Sequence, residues 1–300
     1  MPRVIDCADQ GAISLAECTD RLARRGFDPA DEESLHEAAR DLRRLGNDRS
    51  FLGDLLLDEL ERGFSAAAEH GESYGPQVVM LANPCGDCFL RANIWPAASE
   101  TILRASGGDA FAFGLPHDHN FDFLTLGYFG PGYRSDYYTY DYQAVAGWSG
   151  EPAHLHFVER GGLKEGEIML YRAHLDVHSQ IPPEALSVSI NVMHMDAAQG
   201  WFDQYAFDTR NDTVLRILSQ GANDVVLRMA VAMGSDDARA LAEDFGLRHP
   251  SDRMRLAAWD ALALADPAPA SRVAIWERAE ARGSPMVSRE AQRRLALIPA

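Results

Sequence analysis

The sequence predicts an α+β protein in which a β-rich middle segment is flanked by helices. From Gln77 to about Met195, short apolar or alternating runs rich in Phe, Tyr, Val and Ile are separated by Gly, Pro, Asn and Asp, a pattern typical of strands and turns. On either side of this segment, apolar residues recur at helical spacing near capping residues. We expect a helical segment over 1–75, a β domain over 76–200 and a helical domain over 201–300.

The N-terminal segment carries local helix signals. Ser14-Leu15-Ala16-Glu17 is a capping box, in which a serine side chain and a glutamate three residues later satisfy free backbone N–H groups. Leu52, Leu55, Leu56 and Leu60 then recur on one helical face. About three helices are predicted here.

The C-terminal segment, from Asp212 onward, is rich in Ala and Leu. Candidate N-cap residues are Asn223, Ser235, Ser251, Ser271 and Ser288. The stretch 249–262 resembles one unit of a HEAT-like helical repeat, although the segment shows no fixed period. A plain helical extension that packs on the β domain, or on a second copy of the chain in a homodimer, is the alternative.

Composition limits the partners and the compartment. The formal net charge is -17 and Lys164 is the single lysine, which argues against binding to nucleic acid or to an anionic membrane. No basic and apolar leader opens the sequence, and no apolar run reaches the ~18 residues of a membrane span. Four cysteines in 300 residues do not form a disulfide framework, so we expect a cytoplasmic protein.

A CxxC pair, Cys85 and Cys88, is a weaker signal. A structural zinc site normally needs four ligands, and the residues after Cys88 read as a strand, whereas redox-active pairs open a helix. We expect two turn cysteines.

The strongest chemical signal is the histidine pair His117 and His119. On an extended strand these side chains point the same way with Cα atoms roughly 6.6 Å apart, so both rings can reach one metal ion. The same spacing recurs at His154 and His156, so spacing alone is weak evidence. Context favours the first pair, because a Gly-Leu-Pro turn precedes it and an apolar strand ending in a glycine turn follows it.

A second block, residues 165–178, consists of a glycine turn, an apolar strand and a final histidine, His178. Together the two blocks resemble the two characteristic motifs of the cupin superfamily over about 77–195. The resemblance implies a double-stranded β-helix barrel in which His117, His119 and His178 bind one metal ion. Neutral imidazole suits Fe, Cu, Ni and Zn.

Within that superfamily the sequence is most similar to thiol dioxygenases of the cysteine dioxygenase type. The similarity rests on Pro116-His117-Asp118-His119 and on Asp176-Val177-His178 followed by residues 185–190. It implies that Arg91, in Phe89-Leu90-Arg91-Ala92-Asn93, binds a substrate carboxylate; the alternative is a surface arginine on a strand.

The sequence departs from that family around the metal. Met193 stands near the place of the family's catalytic tyrosine, Leu124 near that of the cysteine crosslinked to it, and Asn191 near that of an assisting histidine. We therefore expect a substrate other than cysteine.

Several polar residues near the histidines have two interpretations. Asp122 either binds the metal, as a carboxylate after the pair does in many cupins, or orients an imidazole. His174 and Asp176 are candidates for the same outer shell or for carrying a proton. For each, the alternative is a turn residue that bonds to backbone.

Other histidines and tyrosines are expected to be structural. His154 and His156 are assigned to a half-exposed strand or hairpin. We expect the tyrosines to line a strand or the barrel rim; these are Tyr137, Tyr138, Tyr140 and Tyr142.

The leading hypothesis is a non-haem Fe(II)-dependent cupin oxygenase that acts on a small, carboxylate-bearing molecule with dioxygen. Cu, Ni, Zn and Mn are alternative metals. Arg91, Asp122 and His174 are the candidate catalytic residues beside the three histidines. Two rival hypotheses are a metal-dependent isomerase, lyase or hydrolase without oxygen chemistry, and a ligand-sensing or scaffold protein that binds a partner through its C-terminal helices.

Overall fold

A computed structural model describes residues 1–61, 77–219 and 222–298. Its contacts form two units: Met1–Tyr142 with His154–Ala197, and Gln143–Ala153 with Ala198–Ala300. The predicted α+β class is confirmed. The predicted boundary between residues 75 and 76 lies outside the described residues.

The described helices are α1 (Leu15–Arg25), α2 (Glu32–Asn47), α3 (Phe51–Glu61), α4 (Thr101–Ser106), α5 (Ala222–Ala232), α6 (Asp236–Arg248), α7 (Asp252–Ala265), α8 (Pro269–Arg282) and α9 (Pro285–Leu295). The described strands are β1 (Arg3–Val4), β2 (Val78–Cys85), β3 (Cys88–Trp95), β4 (Phe123–Phe129), β5 (Tyr133–Thr139), β6 (His156–Leu163), β7 (Ile168–Tyr171), β8 (Asp176–Ile181), β9 (Ser187–His194), β10 (Tyr205–Asp208) and β11 (Thr213–Ile217).

The first unit contains two antiparallel sheets. Six strands lie in the order β1-β7-β4-β9-β3-β2, and three lie in the order β6-β5-β8. Among the described strands these sheets stay open, so a closed double-stranded β-helix barrel is not confirmed. Cys85 and Cys88 pair across the β2–β3 hairpin, and β3 is the strand predicted after them.

The two faces of the six-stranded sheet differ because side chains alternate along a strand. One face packs against the N-terminal helices through Leu90, Leu124 and Ile190. The opposite face carries Trp95 and Phe123, which pack with residues of the three-stranded sheet. The ring centroids of Trp95 and Tyr133 are 4.5 Å apart across this second interface.

The three predicted N-terminal helices are present. The Ser14 hydroxyl accepts a hydrogen bond from the Glu17 backbone N–H at 3.2 Å, which confirms the cap. Asp31 caps α2 in the same way. Gly46 of α2 lies against Leu126 of β4, and this contact brings the helix close to the sheet.

In the second unit, a strand of a hairpin follows Asp212, where a helix was predicted. Strands β10 and β11 pair antiparallel, and the helices follow from Ala222. The helices α5 to α9 enclose an apolar core that includes Trp259, Trp276 and Val287. The HEAT-like repeat stays a prediction.

Two of the predicted N-caps are confirmed and two are wrong. The hydroxyls of Ser235 and Ser251 cap α6 and α7. Ser271 and Ser288 lie inside helices, because prolines at the first positions of α8 and α9 start those helices earlier. Asn223 lies within α5, whose two preceding residues fall outside the described ranges.

Within the described ranges, every helix is too short or too polar to cross a membrane.

Candidate metal centre

Three imidazoles converge in the first unit. One nitrogen from each of His117, His119 and His178 lies within 4.8 Å of the other two. Among the described residues, this is the single group of three or more His, Cys, Asp or Glu side chains close enough to hold one metal ion. The Nε2 atom of His178 is 3.0 Å from Nε2 of His119 and 3.2 Å from Nε2 of His117.

A backbone bridge produces this convergence. The His117 N–H donates to the carbonyl of His178 at 3.0 Å, and the His178 N–H donates back to His117 at 2.9 Å. His178 also lies in β8, where it pairs with Tyr137 of β5. Two segments that are 61 residues apart are thereby held side by side.

The nitrogen separations fit a single metal ion. Two nitrogens that each lie about 2.1 Å from one ion, at angles of roughly 90° to 110°, are about 3.0–3.4 Å apart. The two Nε2 distances, 3.0 and 3.2 Å, are within that interval. Without an ion, three nitrogen lone pairs would face one another, so the donor set is suited to a cation.

The protonation state also suits a metal. Burial lowers the pKa of His117, and it holds the pKa values of His119 and His178 well below the usual range for histidine. The neighbouring imidazoles lower the pKa of His119 further, as does the charge of Arg91. At neutral pH the three rings are neutral, which is the form that binds metals.

Neighbouring groups hold two of the rings. His117 donates from Nδ1 to the carbonyl of Leu115 at 2.8 Å, so its Nε2 lone pair is available to an ion. The Gln180 side-chain amide lies 3.1 Å from Nδ1 of His178. In the orientation in which its oxygen accepts the Nδ1–H, it leaves Nε2 of His178 available to an ion. Gln180 is two residues after His178 on β8 and therefore points to the same side of the strand.

A cavity of about 110 Å³ opens beside the histidines. Its walls come from both sheets of the first unit and from the segment that carries the histidine pair. The residues that line it are Gln77, Arg91, Asn93, Trp95, Ala112, His117, His119, Phe123, Thr125, Tyr133, His178, Gln180, Ser189 and Asn191.

Arg91 is the one charged side chain of the Lys, Arg, Asp and Glu types among the described residues that line the cavity. Its Nε is buried and donates no hydrogen bond to any described residue. Burial alone lowers the pKa of this guanidinium to about 10. Arg91 therefore faces the cavity rather than the surface, and its anion-binding role stays a prediction.

Asp122 and His174 lie outside the described lining of the cavity. The Asp122 carboxylate accepts a hydrogen bond from the Ala173 N–H at 3.0 Å, which is the turn-stabilising interaction considered as its alternative role. The His174 backbone N–H donates to the carbonyl of His119 at 2.8 Å, and its own φ is 59°. Both residues brace the loop that ends at His119.

Asp176 and Asp118 are engaged elsewhere. Asp176 accepts hydrogen bonds from the Arg172 side chain at 2.9 and 2.8 Å. Asp118, between the paired histidines, is fully buried and accepts a hydrogen bond from the Tyr140 hydroxyl at 2.6 Å. This hydrogen bond holds the Asp118 side chain, and with it the backbone between the two histidines.

The second histidine pair does not converge. His154 and His156 are both exposed, and neither lies in a metal-binding group of the described residues. The predicted structural role of Tyr137 agrees with its place in β5, where its hydroxyl lies 3.1 Å from that of Tyr171.

Sequence reasoning did not select Asn93, Gln180 or Asn191 as site residues. The sequence did contain a signal for them. Each residue either lies two positions from a predicted site residue, on the same face of its strand, or pairs with a predicted site residue across the sheet. Asn93 follows Arg91 by two, Gln180 follows His178 by two, and Asn191 pairs with Arg91.

Comparison with known proteins gave distant likenesses only. No family model and no curated protein matches the chain. The hydroquinone 1,2-dioxygenase PnpCD, solved with Cd²⁺ and 4-hydroxybenzonitrile, is 13% identical, with 43% of this chain and 71% of that chain covered and a TM-score of 0.27. A hydroquinone 1,2-dioxygenase from Sphingomonas sp. TTNP3, with 4-hydroxybenzoate bound, is 11% identical, with 45% and 72% covered and a TM-score of 0.28.

The DMSP lyase DddQ from Ruegeria pomeroyi is 8% identical, with 66% of this chain and 78% of that chain covered and a TM-score of 0.26. Likenesses this remote assign neither a fold family nor an activity to the chain.

Proposed function

We propose that this protein is a metal-dependent cupin-type oxygenase that binds a small carboxylate at its three-histidine site. The observation that carries the proposal is the convergence of three neutral imidazoles at a cavity that also contains a buried arginine with no anionic partner among the described residues. The histidines can bind a metal ion, and the arginine can bind an anion beside it.

His117, His119 and His178 would hold the metal through neutral nitrogen ligands. This donor set suits Fe(II), Cu, Ni and Zn, and suits Mn less well because Mn prefers oxygen ligands. Fe(II) is the ion we propose; when bound, it would supply the electron-transfer chemistry by which dioxygen reacts with an organic molecule.

Arg91 would orient the substrate. A guanidinium has several donors in a planar fork that matches a carboxylate, and a buried one binds it more strongly than an exposed one. Phe123 and Trp95, both nearly inaccessible to solvent, make up an apolar part of the cavity wall and limit its water content.

Asp122 and His174 act in this proposal as positioning residues. Their contacts to Ala173 and His119 hold the loop on which the histidine pair lies. The proton-carrying role considered for them stays a prediction.

A metal-dependent lyase, isomerase or hydrolase is the second candidate. The specific observation in its favour is the ligand set itself, because three imidazoles without a carboxylate also suit zinc, which has no redox chemistry. The sensor or scaffold hypothesis would be favoured if the metal-loaded protein catalyses no reaction.

Two measurements test the proposal. Metal content of the purified protein should approach one ion per chain, and His117→Ala should remove it while His156→Ala, at an exposed histidine, should not. An oxygen electrode should then record uptake with a small carboxylate substrate. Full metal content in His117→Ala would refute the site, whereas anaerobic turnover supported by zinc would favour the lyase class.

A further inference from the structure

The cavity contains two buried hydrogen-bond acceptors that no group of the described residues satisfies. The side-chain oxygens of Asn93 and Asn191 accept no hydrogen bond from any described residue. These two residues are 8% and 1% exposed, so bulk water does not reach them freely. Unsatisfied buried polar atoms are rare in native proteins, and two in one cavity indicate a missing ligand with a donor.

Both acceptors neighbour Arg91 in the six-stranded sheet. Asn191 pairs directly with Arg91 across the β3–β9 ladder, and Asn93 is the next residue of β3 on the same face. All of them line the same cavity as the three histidines. A molecule whose anionic group binds Arg91 would therefore have its neighbouring atoms among amide oxygens and at the histidine cluster.

We propose, building on the proposed function, that the substrate is a small hydroxycarboxylate. Its carboxylate binds the Arg91 guanidinium, and its hydroxyl group donates one three-centre hydrogen bond that the amide oxygens of Asn93 and Asn191 share. The substrate is thus recognised by one cationic donor group and a set of neutral acceptors.

The charges of the cavity favour a hydroxyl over an ammonium group. No aspartate or glutamate is among the described residues that line the cavity. An amino acid would place an ammonium group beside Arg91 and the cation-binding histidines without a compensating carboxylate, and a buried unpaired charge is costly. A hydroxyl supplies the same hydrogen bond without that cost.

The size of the cavity limits the substrate further. Its volume, about 110 Å³, is well below the ~300 Å³ at the lower end of typical ligand pockets. An acid of two to four carbons matches a cavity of this volume.

Calorimetric binding to the metal-loaded protein, without oxygen, tests this inference. Lactate, alanine and propionate form a matched series, because they differ only in carrying a hydroxyl, an ammonium or a hydrogen beside the carboxylate. Lactate should bind at least 10-fold more tightly than propionate, and alanine should bind no more tightly than propionate.

Variants locate the hydroxyl site. Asn191→Leu should weaken lactate binding about 10-fold and leave propionate binding unchanged, because leucine has a volume similar to that of asparagine but no hydrogen-bond acceptor. Asn93→Leu provides the same comparison if Asn191→Leu does not fold. Arg91→Gln should weaken binding of lactate and propionate by the same factor, since both carry the carboxylate.

Equal affinity for lactate and propionate, tighter binding of alanine, or no binding of any of the three acids at millimolar concentration would overturn the inference. An Asn191→Leu variant that weakens both acids equally would also contradict it. The proposed function fails separately, through an absence of oxygen uptake by the metal-loaded protein, because the binding comparison involves no turnover.

Discussion

Arg91 and Asn191 lie opposite each other in the β3–β9 ladder on the face of the sheet that borders the cavity. The guanidinium Nε of Arg91 and the amide oxygen of Asn191 both lack a hydrogen-bond partner among the described residues. A buried donor and a buried acceptor are thus held at adjacent positions without being joined. An incoming ligand that carries both an acceptor and a donor can satisfy both.

Arg91→Met should increase stability while abolishing carboxylate binding. The arginine is buried without an anionic partner, and its pKa is lowered to about 10 by burial, so the charged form is disfavoured in the fold. We expect the free energy of unfolding in urea to rise by about 1–2 kcal/mol, because methionine fills similar space without a buried charge. Arg134→Met, at an exposed arginine of β5, is the control and should change it little. A destabilised Arg91→Met would indicate a structural role.

Gln180→Leu should weaken metal binding without removing it. The amide of Gln180 lies 3.1 Å from Nδ1 of His178 and holds that ring in place. Loss of such an outer partner typically costs about 10- to 100-fold in metal affinity, which a competition assay with a chromogenic chelator measures. Gln77→Leu is the matched control, because Gln77 also lines the cavity but bonds to the carbonyl of Phe111 at 3.1 Å. Unchanged affinity in Gln180→Leu would exclude this role.

The metal-free protein should lose stability as the pH falls below about 6.5. Burial lowers the pKa of His174 to about 4 from the ordinary value of 6.5. Between these values the unfolded chain binds a proton that the folded chain does not, so the free energy of unfolding decreases as the pH falls. The three clustered histidines, whose pKa values are also lowered by burial, act in the same direction.

Urea denaturation at several pH values from 7 to 4 measures this effect. His174→Asn should reduce the slope of stability against pH, and asparagine tolerates the positive φ of this position. His156→Asn, at an exposed histidine, should leave the slope as it is. A stability that does not change with pH in this range would contradict the prediction.

Gly46→Ala should destabilise the first unit. A Cβ atom added at Gly46 would lie 2.2 Å from the Cδ2 atom of Leu126, which is buried under α2. Overpacking of this kind costs about 1–3 kcal/mol, measurable as a lower urea midpoint. Gly53→Ala is the matched control in α3: its Cβ would meet nothing within 4 Å, so the change should stabilise that helix by about 0.5–1 kcal/mol. A stabilised Gly46→Ala would show that Leu126 can repack.

Local features could be predicted from the sequence because their causes are local. The Ser14 cap, the three N-terminal helices and the strand after Cys88 depend on residues within a few positions of one another. Errors arose where neighbouring residues competed. Ser271 and Ser288 are good caps in isolation, yet prolines at the start of the same helices set the helix N-termini earlier.

The sequence by itself determined that His117 and His119 can point to one side, since that follows from the repeat of an extended chain. It also showed which residues of a strand lie on the same face, but not which residues that face packs against. The family resemblance named His178 as the third ligand, and the tertiary structure brings it to the pair. Only the tertiary structure decided that Arg91 lies buried beside them without a carboxylate among the described residues that line the cavity. These positions depend on backbone hydrogen bonds between distant segments and on the packing of one sheet against the other. Neither can be read from one local segment of the sequence.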